Sequence, residues 1–145
     1  MANEKPERRD SEFLSQVLDS LRKRRRALKH ISGVPQIERF VDVHEDRSEE
    51  RLEVTFNPFT HQRLRAIFWD DRWIQISALE SIPKAGWKFE FAAEGRFLRG
   101  NDGKSVIAAI EQTLSMMFEA TQEDAMEFDQ IWAPLLAAGP AAVRP

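Results

Sequence analysis

Gly100-Asn101-Asp102-Gly103-Lys104-Ser105, with Val106, Ile107 and Ile110 following at helical spacing, carries the residue types of a phosphate-binding loop. Glycines let backbone N–H groups approach an anion, a lysine reaches it, and a helix N-terminus lies behind. The spacing does not complete the motif, which needs a glycine at position 98, where Leu98 stands. The context differs too. A P-loop follows the first strand of a parallel sheet and needs a later strand for a magnesium-binding acid, whereas the 42 residues after Gly103 read as two helices. The stretch reads instead as a turn made by Gly100 and Gly103, with Asp102 or Ser105 capping the helix.

Asp42-x-His44-x-Asp46 would set two carboxylates and an imidazole on one face of a strand, with Glu53 beside them, the donor set of a metal or acid–base cluster. It holds a single imidazole. The same side chains make sensible cross-strand ion pairs on a solvated face, so no metal ligand and no catalytic residue is assigned.

Two groupings could hold phosphate or stack bases. Arg22-Lys23-Arg24-Arg25-Arg26 with Lys29 and His30 is the densest charge in the chain, and Arg22, Arg24, Arg25, Arg26 and Lys29 are its candidate phosphate-binding residues. Five successive charges on a helix point in all directions and form no single face. Arg63, Arg65, Trp69, Arg72 and Trp73 mix cations and aromatics around one hairpin, as a single-strand-binding sheet does. Trp69, Trp73 and, further on, Trp132 are also the candidate anchors for a protein partner.

The composition removes other chemistries. The chain has no Cys, which excludes disulfides, thiol nucleophiles and thiolate metal sites. No Gly-x-Ser-x-Gly elbow occurs, and the three His stand in no recognisable nucleophile motif. With 21 Lys and Arg against 24 Asp and Glu the net charge of −3 is small. It is unevenly spread: residues 1–30 hold nine Lys and Arg against five acids, and residues 111–145 hold Arg144 alone against six acids. No signal-peptide-like or membrane-spanning apolar run occurs, so a cytoplasmic, unanchored protein is expected, with no cofactor.

These groups must be positioned by a small set of elements. Phe13, Leu14, Val17, Leu18, Leu21 and Leu28 recur at helical spacing, which predicts one helix from Asp10 or Ser11 to Ser32-Gly33-Val34-Pro35. Val41 and Val43, then Leu52, Val54 and Phe56, alternate with polar residues and predict a half-buried hairpin. A four-residue connection at Arg47-Ser48-Glu49-Glu50 would pair Val43 with Val54 and Val41 with Phe56 on the core face, with Asp46 opposite Arg51 and His44 opposite Glu53. LRAIFWDDRWIQISAL predicts a second hairpin reversing at Asp70-Asp71, with Phe68 and Trp73 on one face and Ile67, Trp69, Ile74 and Ile76 on the other. WKFEFAAEGRFLRG predicts a third, turning at Glu94-Gly95. Val106, Ile107, Ile110, Leu114 and Met117 share one helix face. Another helix starts at Thr121-Gln122-Glu123-Asp124 and stops or bends at Pro134.

The expected fold is a single α+β domain over residues 10–137, a mainly antiparallel six-stranded meander with one N-terminal helix and two C-terminal helices packed on it. Residues 1–9 and 138–145 are expected to be flexible. Three helices exceed what one sheet face holds comfortably, so the third should cover an edge or meet a second subunit, and a homodimer is expected. The expected function is a non-enzymatic protein-binding module, an adaptor or chaperone-like accessory protein acting through an exposed apolar helix face or sheet strip. The alternative is nucleic-acid binding by the basic helix and the Arg/Trp hairpin.

Overall fold

The computed structural model describes residues 11–32, 34–59, 62–82, 84, 86–97, 103–119 and 124–137. In chain order they form α1 (Ser11–Lys23), α2 (Arg25–Ser32), β1 (Gln36–Val43), β2 (Ser48–Phe59), β3 (Gln62–Trp69), β4 (Trp73–Ile82), β5 (Gly86–Phe97), α3 (Gly103–Glu119), α4 (Asp124–Trp132) and β6 (Leu136–Ala137). All six strands join one antiparallel sheet in the order β1-β2-β3-β4-β5-β6, the α+β meander read from the sequence. The expected caps at Asp10, Asp102 and Thr121-Gln122-Glu123, the helix stop at Gly33, the turn residue Gly100, and both chain ends lie outside the described residues. No helix among the described residues is long and apolar enough to cross a membrane.

Alternation puts Leu52, Val54, Phe56, Leu64, Ala66, Phe68, Ile74, Ile76 and Ala78 on one side of the sheet. They form one buried cluster with Phe13, Leu14, Val17 and Leu21 of α1, Leu28 of α2, Val106, Ile107, Ile110 and Leu114 of α3, and Phe128 and Trp132 of α4. All four helices therefore cover the same face. Phe13 sits at its centre, 6.4 Å edge-on from Phe68 and 5.5 Å from Phe97.

The predicted N-terminal helix divides at Arg24. Backbone bonds from Arg24 N to Ser20 O (3.0 Å) and from Leu28 N to Arg24 O (2.9 Å) carry the ladder across the break. The break falls where the Arg24 side chain turns to Glu111 of α3, a tertiary contact that helical periodicity alone does not reveal.

The first hairpin turns earlier than expected. His44 N donates to Arg47 O at 2.7 Å, so the turn is Glu45-Asp46, and Val43 pairs with Ser48, Val41 with Glu50 and Ile37 with Val54. The expected pairings Val43–Val54, Val41–Phe56, Asp46–Arg51 and His44–Glu53 do not occur. Val41 and Val43 are not core residues either: they share the helix-side face of β1, but the helices pack over its neighbours and leave this edge uncovered. The observed register opposes Glu38 to Glu53 and Asp42 to Glu49, like-charge pairs that a count of directly opposed residues disfavours. Arginines on neighbouring positions offset them: Arg51 bridges Asp42 and Glu53, and Arg65 of β3 binds Glu53 as well.

The second hairpin has a three-residue turn, Asp70-Asp71-Arg72, where two residues were expected. Arg72 takes the left-handed conformation (φ 70°) and donates its N–H to Trp69 O at 3.0 Å. The extra residue reverses the faces assigned to β4, so Phe68 shares the core side with Ile74 and Ile76, while Trp73 joins Ile67 and Trp69 on the other. The guanidinium of Arg72 lies over the rings of Phe13 (4.9 Å) and Phe97 (5.7 Å), closing that end of the core.

The third hairpin is absent. β5 runs unbroken through Glu94-Gly95, and the sixth strand is the short Leu136–Ala137, delivered after α4 by the turn Ala133–Leu135 that contains Pro134. Gly95 marks close approach, because a Cβ there would meet Ala137 O at 3.1 Å and Leu136 Cβ at 3.2 Å. β6 pairs with Arg96 and Phe97 at the end of β5, and Phe128 and Trp132 of α4 are buried in the shared core. Where a third helix was expected to cover an edge or meet a second subunit, all four described helices lie on one sheet face.

Candidate interaction surface

At one side of the sheet the two residues of β6 pair with Arg96 and Phe97 at the end of β5, and at the other β1 has a single hydrogen-bonded neighbour, β2, among the described residues. Pairs along an antiparallel ladder alternate between hydrogen-bonded and open. With His44 and Arg47 bonded, the backbone groups of Asp42, Phe40, Glu38 and Gln36 turn toward β2, and those of Ile37, Arg39, Val41 and Val43 point out at the free edge. The same four residues carry side chains on the helix-side face. Ile37 is 42 % exposed, Val41 58 % and Val43 81 %, and Val34 just before the strand is 55 % exposed. Arg39 alone is charged, and its guanidinium is held by Glu50 at 2.6 Å. The result is an apolar strip alongside backbone donors and acceptors that no other described strand pairs, a combination that edge strands ordinarily avoid.

On the face away from the helices, Phe40, Arg51 and Trp69 lie in one cross-strand row, continued by the register pair Trp73–Arg96. The Arg51 guanidinium stands 4.3 Å from the Phe40 ring centroid. Trp73 is buried and donates its indole N–H to Glu94 at 3.2 Å, whereas Trp69 is half-buried. Trp132 is fully buried in the helical layer, where its indole N–H donates to Thr113 Oγ1 at 2.9 Å and Thr113 donates onward to Ala109 O at 2.8 Å. Of the three tryptophans named from the sequence, Trp69 alone presents substantial surface.

The acid–base grouping is not assembled as spacing suggested. Asp42 and Glu53 are both bound by Arg51, and His44 Nε2 lies 3.9 Å from Glu49 instead. Burial alone would raise the Glu53 carboxyl, but hydrogen bonds from Arg65 and Arg51 outweigh it and hold the group below its ordinary value. Arg51 is correspondingly held above its own, by the Glu53 carboxylate first. An acid fixed in its ionised form suits a structural ion pair better than proton transfer. Among the described residues no cluster of three or more metal-ligating side chains occurs.

The basic run is partly committed. Arg24 grips Glu111 through two bonds of 2.8 and 2.9 Å, which raises its pKa, and Lys23 pairs with Asp19 at 3.1 Å. Arg22, Arg25, Arg26 and Lys29 are exposed. In the hairpin, Arg65 binds Glu53, Arg63 donates to Asn57 at 3.0 Å, and Arg72 lies over core rings. Gly103 of the supposed phosphate loop packs on the α1 backbone, where a Cβ would sit 2.5 Å from Gln16 C and O. Lys104 and Lys23 instead border a solvent-open groove of 640 Å³ between α1 and α3, together with Asp19 and Glu111.

The β1 strip was expected to face the core. Its alternation of apolar and polar residues is visible from Ile37 to Val43, but alternation reports only that one face is apolar, not whether another element covers it. No family model, no curated protein and no solved structure matches this chain.

Proposed function

We propose that this chain is a non-enzymatic protein-binding module of the adaptor or chaperone-like kind, which takes an extended partner segment onto the free edge of β1. The observation that carries this reading is the coincidence on one strand of outward backbone groups with the exposed side chains of Ile37, Val41 and Val43. Strand addition uses those two features together: main-chain bonds supply affinity and alternate side chains supply selectivity. The nucleic-acid alternative is less well supported, because Arg24, Arg51 and Arg65 are already paired with carboxylates and the Phe40–Trp69 row is flanked by Glu38, Glu53 and Glu94.

Fluorescence anisotropy separates the two. A labelled peptide of alternating valine and threonine should bind saturably, with little response to salt, and Ile37→Lys/Val41→Lys should abolish binding. Binding of a mixed-sequence oligonucleotide that weakens steeply with salt and disappears in Arg25→Ala/Arg26→Ala, with no peptide binding, would replace this reading by the other.

A further inference from the structure

We infer that the β1 edge is self-complementary and pairs with β1 of a second copy, antiparallel about a twofold axis at Phe40, making one continuous sheet from two. The inference rests on the reading of this edge as a protein-binding surface, and names its partner.

Three observations lead to a second copy. The first is geometric: the outward backbone groups belong to Ile37, Arg39, Val41 and Val43, so a strand added here must bond to those positions. Two copies related by a twofold axis normal to the sheet keep their helix layers on one side only if these odd-numbered residues meet each other, because a one-residue slip would turn every side chain to the wrong face. Three such registers have substantial overlap. Centring on Arg39 opposes that guanidinium to itself, and centring on Val41 pushes Ile37 against the turn residue Glu45. Centring on Phe40 pairs Ile37 with Val43 on both sides of the axis and Arg39 with Val41.

The second observation is what that register does on the opposite face. It sets the two Phe40 rings against each other, each already under the guanidinium of its own Arg51 at 4.3 Å, and so joins the Phe40-Arg51-Trp69 rows of both copies into one. It also sets Glu38 across from Asp42, an unfavourable contact that Arg51 reduces, since it already binds Asp42.

The third is charge. The chain enters β1 from α2, whose Arg25, Arg26, Lys29 and His30 are exposed, and leaves through the acidic turn Glu45-Asp46. Antiparallel pairing brings the acidic exit of each copy beside the basic entry of the other, with His44 opposite Gln36. A strand of opposite polarity at its two ends is complementary to its own reverse.

The absence of Cys makes the register directly readable. Phe40 with its copy would form an open, non-hydrogen-bonded pair, with Cα atoms about 4.5 Å apart, within the span of a disulfide. Single-cysteine variants at positions 39, 40 and 41 should be oxidised and run on a non-reducing gel, while light scattering gives the mass of the wild type and of Val43→Lys. The expected result is a dimeric wild type whose melting temperature rises with protein concentration, a monomeric Val43→Lys that still melts cooperatively but at a temperature independent of concentration, and rapid disulfide formation in Phe40→Cys alone. Cross-linking in Arg39→Cys or Val41→Cys in its place, or a monomeric wild type, would overturn the inference. A monomeric wild type that still binds the valine–threonine peptide would leave the protein-binding reading standing, whereas one that binds no peptide would remove both.

Discussion

At the scale of single residues, Gly103 shows how a motif-like glycine is used for packing. The backbone of Gln16 and Val17 stands where a Cβ would go, and backbone cannot swing aside as a side-chain tip can. Gly103→Ala should therefore destabilise the fold by about 1–3 kcal/mol in a thermal or denaturant melt, the usual cost of overpacking. Thr113→Val keeps the shape of the buried site but leaves the Trp132 indole N–H without its acceptor, so a loss of about 1–3 kcal/mol is expected by the same measurement. Glu53 links stability to pH. Its folded pKa lies below the ordinary 4.5, so its contribution is present above that value and is lost as pH falls through the lower folded value. Glu53→Gln should flatten the acid limb of a stability–pH profile below about pH 4.5, and an unchanged limb would show that the Arg51–Glu53–Arg65 group contributes nothing to it. Of these residues, Trp132 was named from the sequence as a surface anchor. Residue type gave its size and apolarity but not the Thr113 acceptor that makes its burial tolerable.

At the scale of elements, what was legible followed from periodicity, and what was not followed from turns and neighbours. The helices at either end and the strands between them, the apolar stripe of α1 and the core face of β2 come from spacings within one segment, whereas β6, which follows α4, does not. The registers do not. One extra residue at Asp70-Asp71-Arg72 was enough to exchange the faces of β4, and non-Gly Arg72 at positive φ gives no turn signal in the sequence. Gly95 looked like a turn because a glycine in a strand carries the same signature whether the chain bends or another backbone comes close. For β1 the apolar spacing was seen but its burial was inferred, and the helices do not reach it. The consequence is testable on stability alone: in a monomeric chain Val41→Lys and Val43→Lys should shift the unfolding free energy by no more than about 0.5 kcal/mol, whereas Val54→Ala, one pairing position inside the sheet, should cost several times that.

At the scale of the whole molecule, three features left over by the core meet at one place: a free sheet edge, an apolar strip on it, and charges of opposite sign at its ends. Of the groups that suggested nucleic acid, Arg24 is paired with Glu111, Arg65 with Glu53, and Arg72 lies over core rings, while Arg22, Arg25, Arg26 and Lys29 stay exposed. The proposed partner surface is β1. Its outward amides provide the most direct measurement, residue-resolved hydrogen exchange by NMR as protein concentration is raised and as the valine–threonine peptide is added. Slowed exchange at Ile37, Arg39, Val41 and Val43, with the amides of Glu38, Phe40 and Asp42 already protected by β2, is the expected pattern. Unchanged exchange at those four positions under both conditions, with protection appearing instead around Arg25 and Arg26 when an oligonucleotide is added, would contradict it.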